Sequence, residues 1–304
     1  MSHRQLYMTE PLLAFGGVQR KYDEAEFVVV GVPFDSTSSY RPGSRFAPLK
    51  VREASLNIES NSLVGLQLFI EDTPLHDAGD LAVVHGNAEE TLERLSLVVK
   101  DLIGDEKRIL SIGGEHTITA GIAKGLAEAG IRPCLLVFDA HLDLRDEYLG
   151  YRFSHASSIR RAMEYLGPDK TVIVGARAYA REEIKYAAER GVEVIPPQTI
   201  VRMGARNIGA LVASKLSDCE HVYVSLDIDA LDPSYAPGTG TPEPLGLSVG
   251  EILRVLEETI DSRLVGADLV EVNPLVDPSG VTSIVAARLL QEIILLVYSK
   301  TMER

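Results

Sequence analysis

The run Leu135-Leu136-Val137-Phe138-Asp139-Ala140-His141-Leu142-Asp143 changes character abruptly, an apolar stretch ending in Asp139, His141 and Asp143 at alternating positions. In extended backbone, side chains two apart share a face, so all three polar groups point the same way. Two carboxylates converging beside an imidazole repel each other unless a cation neutralises them. Carboxylate oxygen and neutral imidazole nitrogen are both good ligands for divalent ions. Taken alone, the run fits a strand end dipping into solvent equally well. Three further stretches carry residues of the same kind: Gly113-Gly114-Glu115-His116, Asp227-Ile228-Asp229-Ala230-Leu231-Asp232-Pro233 and Glu271-Val272-Asn273-Pro274. Each follows an apolar run.

Those apolar runs belong to an alternating pattern. Residues 27–32 read as a buried strand entering a long polar loop, 33–45, and a short helix starts at Pro48, a favourable first-turn residue. The stretch 60–87 is poorly legible, with a strand expected near 66–70. From Ala88, apolar residues at three- and four-residue steps (Leu92, Leu95, Val98, Val99, Leu102) predict a helix. A strand at 108–112, a helix at 117–129 stopped by Gly130, and the strand 134–139 follow. Helices are then expected at 156–166, 181–190, 205–216, 249–260 and 282–298, and strands at 171–174, 192–195, 221–226 and 264–272.

Near-continuously apolar strands alternating with helices predict one domain over residues 1–304: an α/β fold of three layers, α/β/α, around a mostly parallel central sheet. In such sheets ligands bind beyond the carboxyl ends of the strands, where all four polar stretches lie. His116, Asp139, His141, Asp143, Asp227 and Asp229 together give two imidazoles and four carboxylates. One divalent ion does not need six protein ligands and would keep no open position, whereas two ions sharing carboxylates use all six. A thiolate-free, carboxylate-rich set suits manganese better than structural zinc, with cobalt or iron as substitutes.

At this point six linked motifs resemble the signatures of the arginase–agmatinase (ureohydrolase) family, in order from about residue 27 to 290. They are Gly31-Val32-Pro33-Phe34-Asp35 with Tyr40-Arg41-Pro42-Gly43, Gly113-Gly114-Glu115-His116, Phe138-Asp139-Ala140-His141-Leu142-Asp143, Ser225-Leu226-Asp227-Ile228-Asp229-Ala230-Leu231-Asp232-Pro233, Pro237-Gly238-Thr239-Gly240-Thr241-Pro242, and Glu271-Val272-Asn273-Pro274. The resemblance implies an arginase-like fold, two Mn2+ ions, trimeric or hexameric assembly, and hydrolysis of a guanidinium to urea and an amine. It implies that the six residues named above are the metal ligands. Asp143 would also relay a proton to the leaving amine, His155 would shuttle protons, and Glu271 would receive the guanidinium. Three departures stand out. Glu115 replaces a frequent Asp beside the ligand and is expected to matter little, Ala156 replaces a frequent Gly, and Arg145 stands where arginases carry Asn.

The implied chemistry is physically coherent. Water shared by two cations deprotonates near neutrality, Glu271 would aim the guanidinium carbon through paired charge-assisted hydrogen bonds, and Asp143 would protonate the departing nitrogen. His155, with an ordinary pKa near neutrality, suits proton exchange with solvent. Arg145 argues against L-arginine. Asp146 and Glu147 would read the terminal ammonium of agmatine or N1-aminopropylagmatine, Arg145 would instead clamp the carboxylate of guanidinobutyrate, or these charges simply face solvent. Agmatine, cleaved to putrescine and urea, is the expected substrate; a non-catalytic metal-binding relative is the reading from another class.

Composition narrows the partners. A net charge of −14 disfavours nucleic acid and anionic membrane and favours a small cationic ligand. Cys134 and Cys219 suit neither a zinc knuckle nor a disulfide framework. No apolar leader opens the chain and no stretch approaches a transmembrane span, so a reduced, cytoplasmic protein is expected. His76, His85 and His221 have no constellation around them and read as structural.

Overall fold

The computed structural model describes residues 2–167 and 170–302. Among the described residues nine strands form one sheet: β1 (Met8–Thr9), β2 (Phe27–Val32), β3 (Leu75–Leu81), β4 (Arg108–Gly113), β5 (Cys134–Phe138), β6 (Thr171–Val174), β7 (Glu193–Ile195), β8 (Val222–Asp227) and β9 (Leu264–Val270). Their spatial order is β1-β3-β2-β4-β9-β8-β5-β6-β7. Every pairing is parallel except β1 against β3.

The strands are buried on both faces because alternate residues feed two separate cores. Phe27, Val29, Leu110, Leu136, Phe138, Val224 and Leu226 pack with the helices Ala47–Ser55, Ala205–Lys215, Val249–Thr259 and Val281–Met302. Val28, Val30, Ile109, Leu135, Val137 and Tyr223 pack with Ala88–Gly104, Ile118–Glu128 and Ser158–Leu166. That two-sided burial is why the strands read as continuous apolar runs rather than alternating ones.

The poorly legible stretch holds a whole strand. β3 is absent from the expected elements, and 66–70 forms only an isolated bridge, Asn61 to Phe69, before a 3-10 turn. β3 escapes notice because it carries His76, Asp77, Gly79 and Asp80. Those charges are tolerated since Arg52, itself buried, forks onto Asp77 and reaches Asp80 at 2.6 Å. Pro196-Pro197 do more than end β7: Pro197 opens a further helix, Pro197–Met203.

Two expectations are corrected. Cys134 and Cys219 form a disulfide, although 85 residues separate them. Cys134 sits opposite Val222 in the β5–β8 register, so a cysteine three residues before β8 falls beside it. The closing helix, Val281–Met302, is long and apolar enough to span a membrane by length and composition, yet it lies mostly buried against the sheet.

Candidate active site

The four strand ends singled out by the sequence belong to β4, β9, β8 and β5, which are neighbours in the sheet. His116, Asp139, His141, Asp143, Asp227, Asp229 and Glu271 therefore converge at one edge. All except His141 are buried.

Two clusters form around a shared carboxylate. His116, Asp139 and Asp227 offer ligand atoms within 4.8 Å of one another, as do Asp139, His141 and Asp229. Asp139 faces the first cluster with Oδ2, 3.2 Å from His116 Nδ1, and the second with Oδ1, 3.5 Å from His141 Nδ1. Asp143 Oδ2 lies 3.0 Å from His116 Nδ1, and Asp229 Oδ2 lies 3.0 Å from His141 Nδ1. His116 Nδ1, Asp139 Oδ2 and Asp229 Oδ2 are fully buried yet make no hydrogen bond among the described residues. Such orphaned atoms are rare, and aimed at one another they fit a divalent cation in each cluster.

The electrostatics agree. Burial pulls His116 down, but its contacts with Asp139, Asp143 and Asp227 outweigh that and hold its pKa well above the ordinary value. His141 behaves alike, burial being overcome by Asp229 and Asp139. Burial, then Asp229 and Asp139, push Asp227 well above the carboxylate range. Without cations, these residues hold protons instead.

A buried relay sets the His116 tautomer. Tyr223 Oη and Thr119 Oγ1 donate to Asp268 Oδ2, each at 2.9 Å, and Ser225 Oγ donates to Asp268 Oδ1 at 2.7 Å. Having given its proton to Asp268, Ser225 accepts from His116 Nε2 at 2.9 Å. Nε2 thus keeps its proton, and Nδ1 is the nitrogen that would offer its lone pair to a cation once its own proton is displaced. An Asp inside the apolar run 264–270 was the sequence signal for this relay.

Around the clusters lies a cleft of ≈ 320 Å³ lined by, among others, Ser39, Arg145, Tyr148, His155, Glu183, Glu243 and Glu271. Glu271 holds φ +64° and Asp143 φ +50°, a left-handed backbone that non-glycine residues seldom adopt. Glu271 Oε1 accepts from His116 N at 2.8 Å. The carboxyl makes no ion pair among the described residues, and burial, followed by the nearby Glu115, raises its pKa well above normal. His155 opens a 3-10 turn, its ring edge-on to Tyr148 with centroids 5.7 Å apart. Burial lowers its pKa below the ordinary imidazole value.

The 33–43 loop closes one side. Asp35 accepts from Gly43 N and pairs with Arg45, and Asn273 Nδ2 donates to Arg41 O at 2.7 Å. At Gly43, φ is +140° and an added Cβ would lie 2.4 Å from Asn273 Oδ1. Gly114 is similarly confined, since a Cβ there would lie 2.0 Å from Phe34 O.

Several expectations change here. Asp146 is exposed and turned onto Arg160 and Arg161, at 3.1 and 2.8 Å, and Glu147 is exposed outside the cleft. Neither is placed to read a substrate tail. Arg145 does line the cleft but is engaged by Glu182 at 3.1 Å and Glu183 at 3.8 Å. Glu243, which sequence reasoning passed over, lines the cleft with no ion pair among the described residues. Glu115 is no incidental neighbour: it is fully buried, and burial pushes its pKa up to about 7 against hydrogen bonds from Thr37 and Thr117.

Comparison with known proteins matches residues 25–296 to the model of the Arginase family. The chain is 37% identical over 283 residues to an agmatinase of Halalkalibacterium halodurans, covering 90% of this chain and 93% of that one. It is also 37% identical to an N(1)-aminopropylagmatine ureohydrolase of Thermococcus kodakarensis, covering 88% and 89% of the two chains. Among solved structures, the agmatine ureohydrolase of Thermoplasma volcanium superposes with a TM-score of 0.85 at 36% identity, covering 94% of each chain.

Proposed function

The chain belongs to the arginase family, and from that premise we propose that it is a two-manganese hydrolase that cleaves agmatine to putrescine and urea. The observation that carries this reading is the pair of ligand clusters sharing Asp139, beside a buried Glu271 that lacks a cation. His116, Asp139, Asp143 and Asp227 would hold one ion, and Asp139, His141 and Asp229 the other. When bound, the ions supply an activated water nucleophile at neutral pH.

The protein's own groups do the rest. Glu271 takes the guanidinium by charge-assisted hydrogen bonds, which supplies the positive charge its burial demands. Asp143, with Oδ2 held by Ser158 Oγ at 3.0 Å, takes one proton from the attacking water and passes it to the departing nitrogen. His155, at the cleft wall between Tyr148 and the 33–43 loop, exchanges with solvent the water's other proton, the one the freed amine takes up to leave as an ammonium.

The tail is read by charge. Arg145 is already paired, which disfavours a carboxylate tail, and Glu243 offers a free carboxylate to a terminal ammonium. Manganese-loaded protein assayed for urea with agmatine, N1-aminopropylagmatine, guanidinobutyrate and arginine tests this directly. Agmatine should have the highest kcat/KM. Preference for guanidinobutyrate would overturn the tail assignment, and absence of urea from all four would overturn the function.

A further inference from the structure

Glu115 and the 33–43 loop are linked more tightly than a loop contact requires. Glu115 Oε2 accepts from Thr37 N at 2.8 Å, and Oε1 accepts from Thr37 Oγ1 at 2.6 Å. Thr117 Oγ1 donates to Oε1 at 2.7 Å and Ser38 Oγ to Oε2 at 3.3 Å. The carboxylate is thus saturated, and Thr37 is held at both its amide and its hydroxyl.

The other side of Thr37 faces His155. The His155 backbone N–H donates to Thr37 Oγ1 at 3.1 Å, and His155 Nδ1 lies 3.5 Å from the same oxygen. Because the Thr37 proton is committed to Glu115, that oxygen can only accept, so Nδ1 carries the ring proton. Nε2 is left with its lone pair, 3.2 Å from Ser39 Oγ on the exposed rim. We propose that Thr37, anchored by Glu115, is a positioning residue that fixes both the place and the tautomer of the His155 ring, so that Nε2 is the nitrogen exchanging protons at the mouth of the cleft.

The Glu115 carboxylate spans from the end of β4 to the loop after β2. The proposal rests on His155 acting as the proton shuttle, and the test separates the two.

The experiment is a double-mutant cycle on the manganese-loaded protein with agmatine, using Thr37→Val, His155→Ala and the pair, with Thr37→Ser as the conservative variant. Thr37→Val should lower kcat by about ten- to a hundredfold, the range a small misplacement of a reacting group costs, with KM and manganese content unchanged. Thr37→Ser should recover most of that loss, and Thr37→Val should cost nothing further in the His155→Ala background. In the metal-free protein, 15N NMR should report His155 protonated at Nδ1, a signature lost in Thr37→Val. An equal loss of kcat in both backgrounds, or a loss accompanied by changed KM or metal content, would assign Thr37 a structural role and overturn the proposal. If His155→Ala lowers kcat while Thr37→Val does not, the proposal alone falls. If His155→Ala leaves kcat intact, the shuttle assignment falls and takes this proposal with it.

Discussion

Asp139 has the most consequential side chain, since its two oxygens face different clusters. Its neighbours carry separable roles. Asp143→Asn should lower kcat by more than the loss of bound manganese explains, measured as urea release at fixed metal occupancy, and normal turnover at full occupancy would remove its proton-transfer role. Asp268→Asn should weaken manganese binding by about 10–100-fold, the usual cost of disturbing a ligand's hydrogen-bond partner, measured by titration calorimetry. The pH dependence has a definite sign. His116, His141 and Asp227 all hold protons above their ordinary pKa values in the metal-free site, and metal must displace those protons. Manganese affinity should therefore fall as pH is lowered and binding should release protons, detectable in buffers of different ionisation enthalpy. Glu243→Gln should raise KM for agmatine and leave that for guanidinobutyrate unchanged or lower.

At the scale of elements, the strand ends were legible because a buried parallel strand that stops in Asp, His or Glu breaks its own composition. β4, β5, β8 and β9 all announced themselves this way, and the sheet places them side by side. β3 was not legible, because its charges are compensated by Arg52 from a distant helix, a long-range pairing that local pattern does not reveal. Of the alternatives for Asp146 and Glu147, the structure fits the one in which they face solvent, for a related reason. Asp146 and Glu147 are close to Asp143 in sequence, but the chain turns after Leu144 and sends Asp146 to Arg160 and Arg161. Glu243 reaches the cleft from a loop a hundred residues later. The junction of β4 with the loop after β2 depends on Gly114, where any Cβ meets Phe34 O. Gly114→Ala should cost on the order of 1–3 kcal/mol of stability, as overpacking commonly does, seen as a lower midpoint in urea unfolding.

For the whole molecule, the disulfide ties the start of β5 to the turn before β8, at the opposite end of the strands from the ligand clusters. Breaking it releases a loop of 85 residues' separation, and Cys219→Ser should cost about 2–5 kcal/mol, read as a lower Tm with little change in kcat. The fold class and the convergence of the candidate ligands were readable because both are written in local sequence, in strand composition and strand endings. The disulfide was not, because its partners meet only once β5 and β8 are paired.

On the proposed function, two cations, not one, make this site a guanidinium hydrolase. Manganese titrated into the metal-free protein, with urea release from agmatine followed at each addition, tests it most directly. Activity should rise until two equivalents per chain are bound and then level off. Saturation at one equivalent, or no urea at any occupancy, would contradict it.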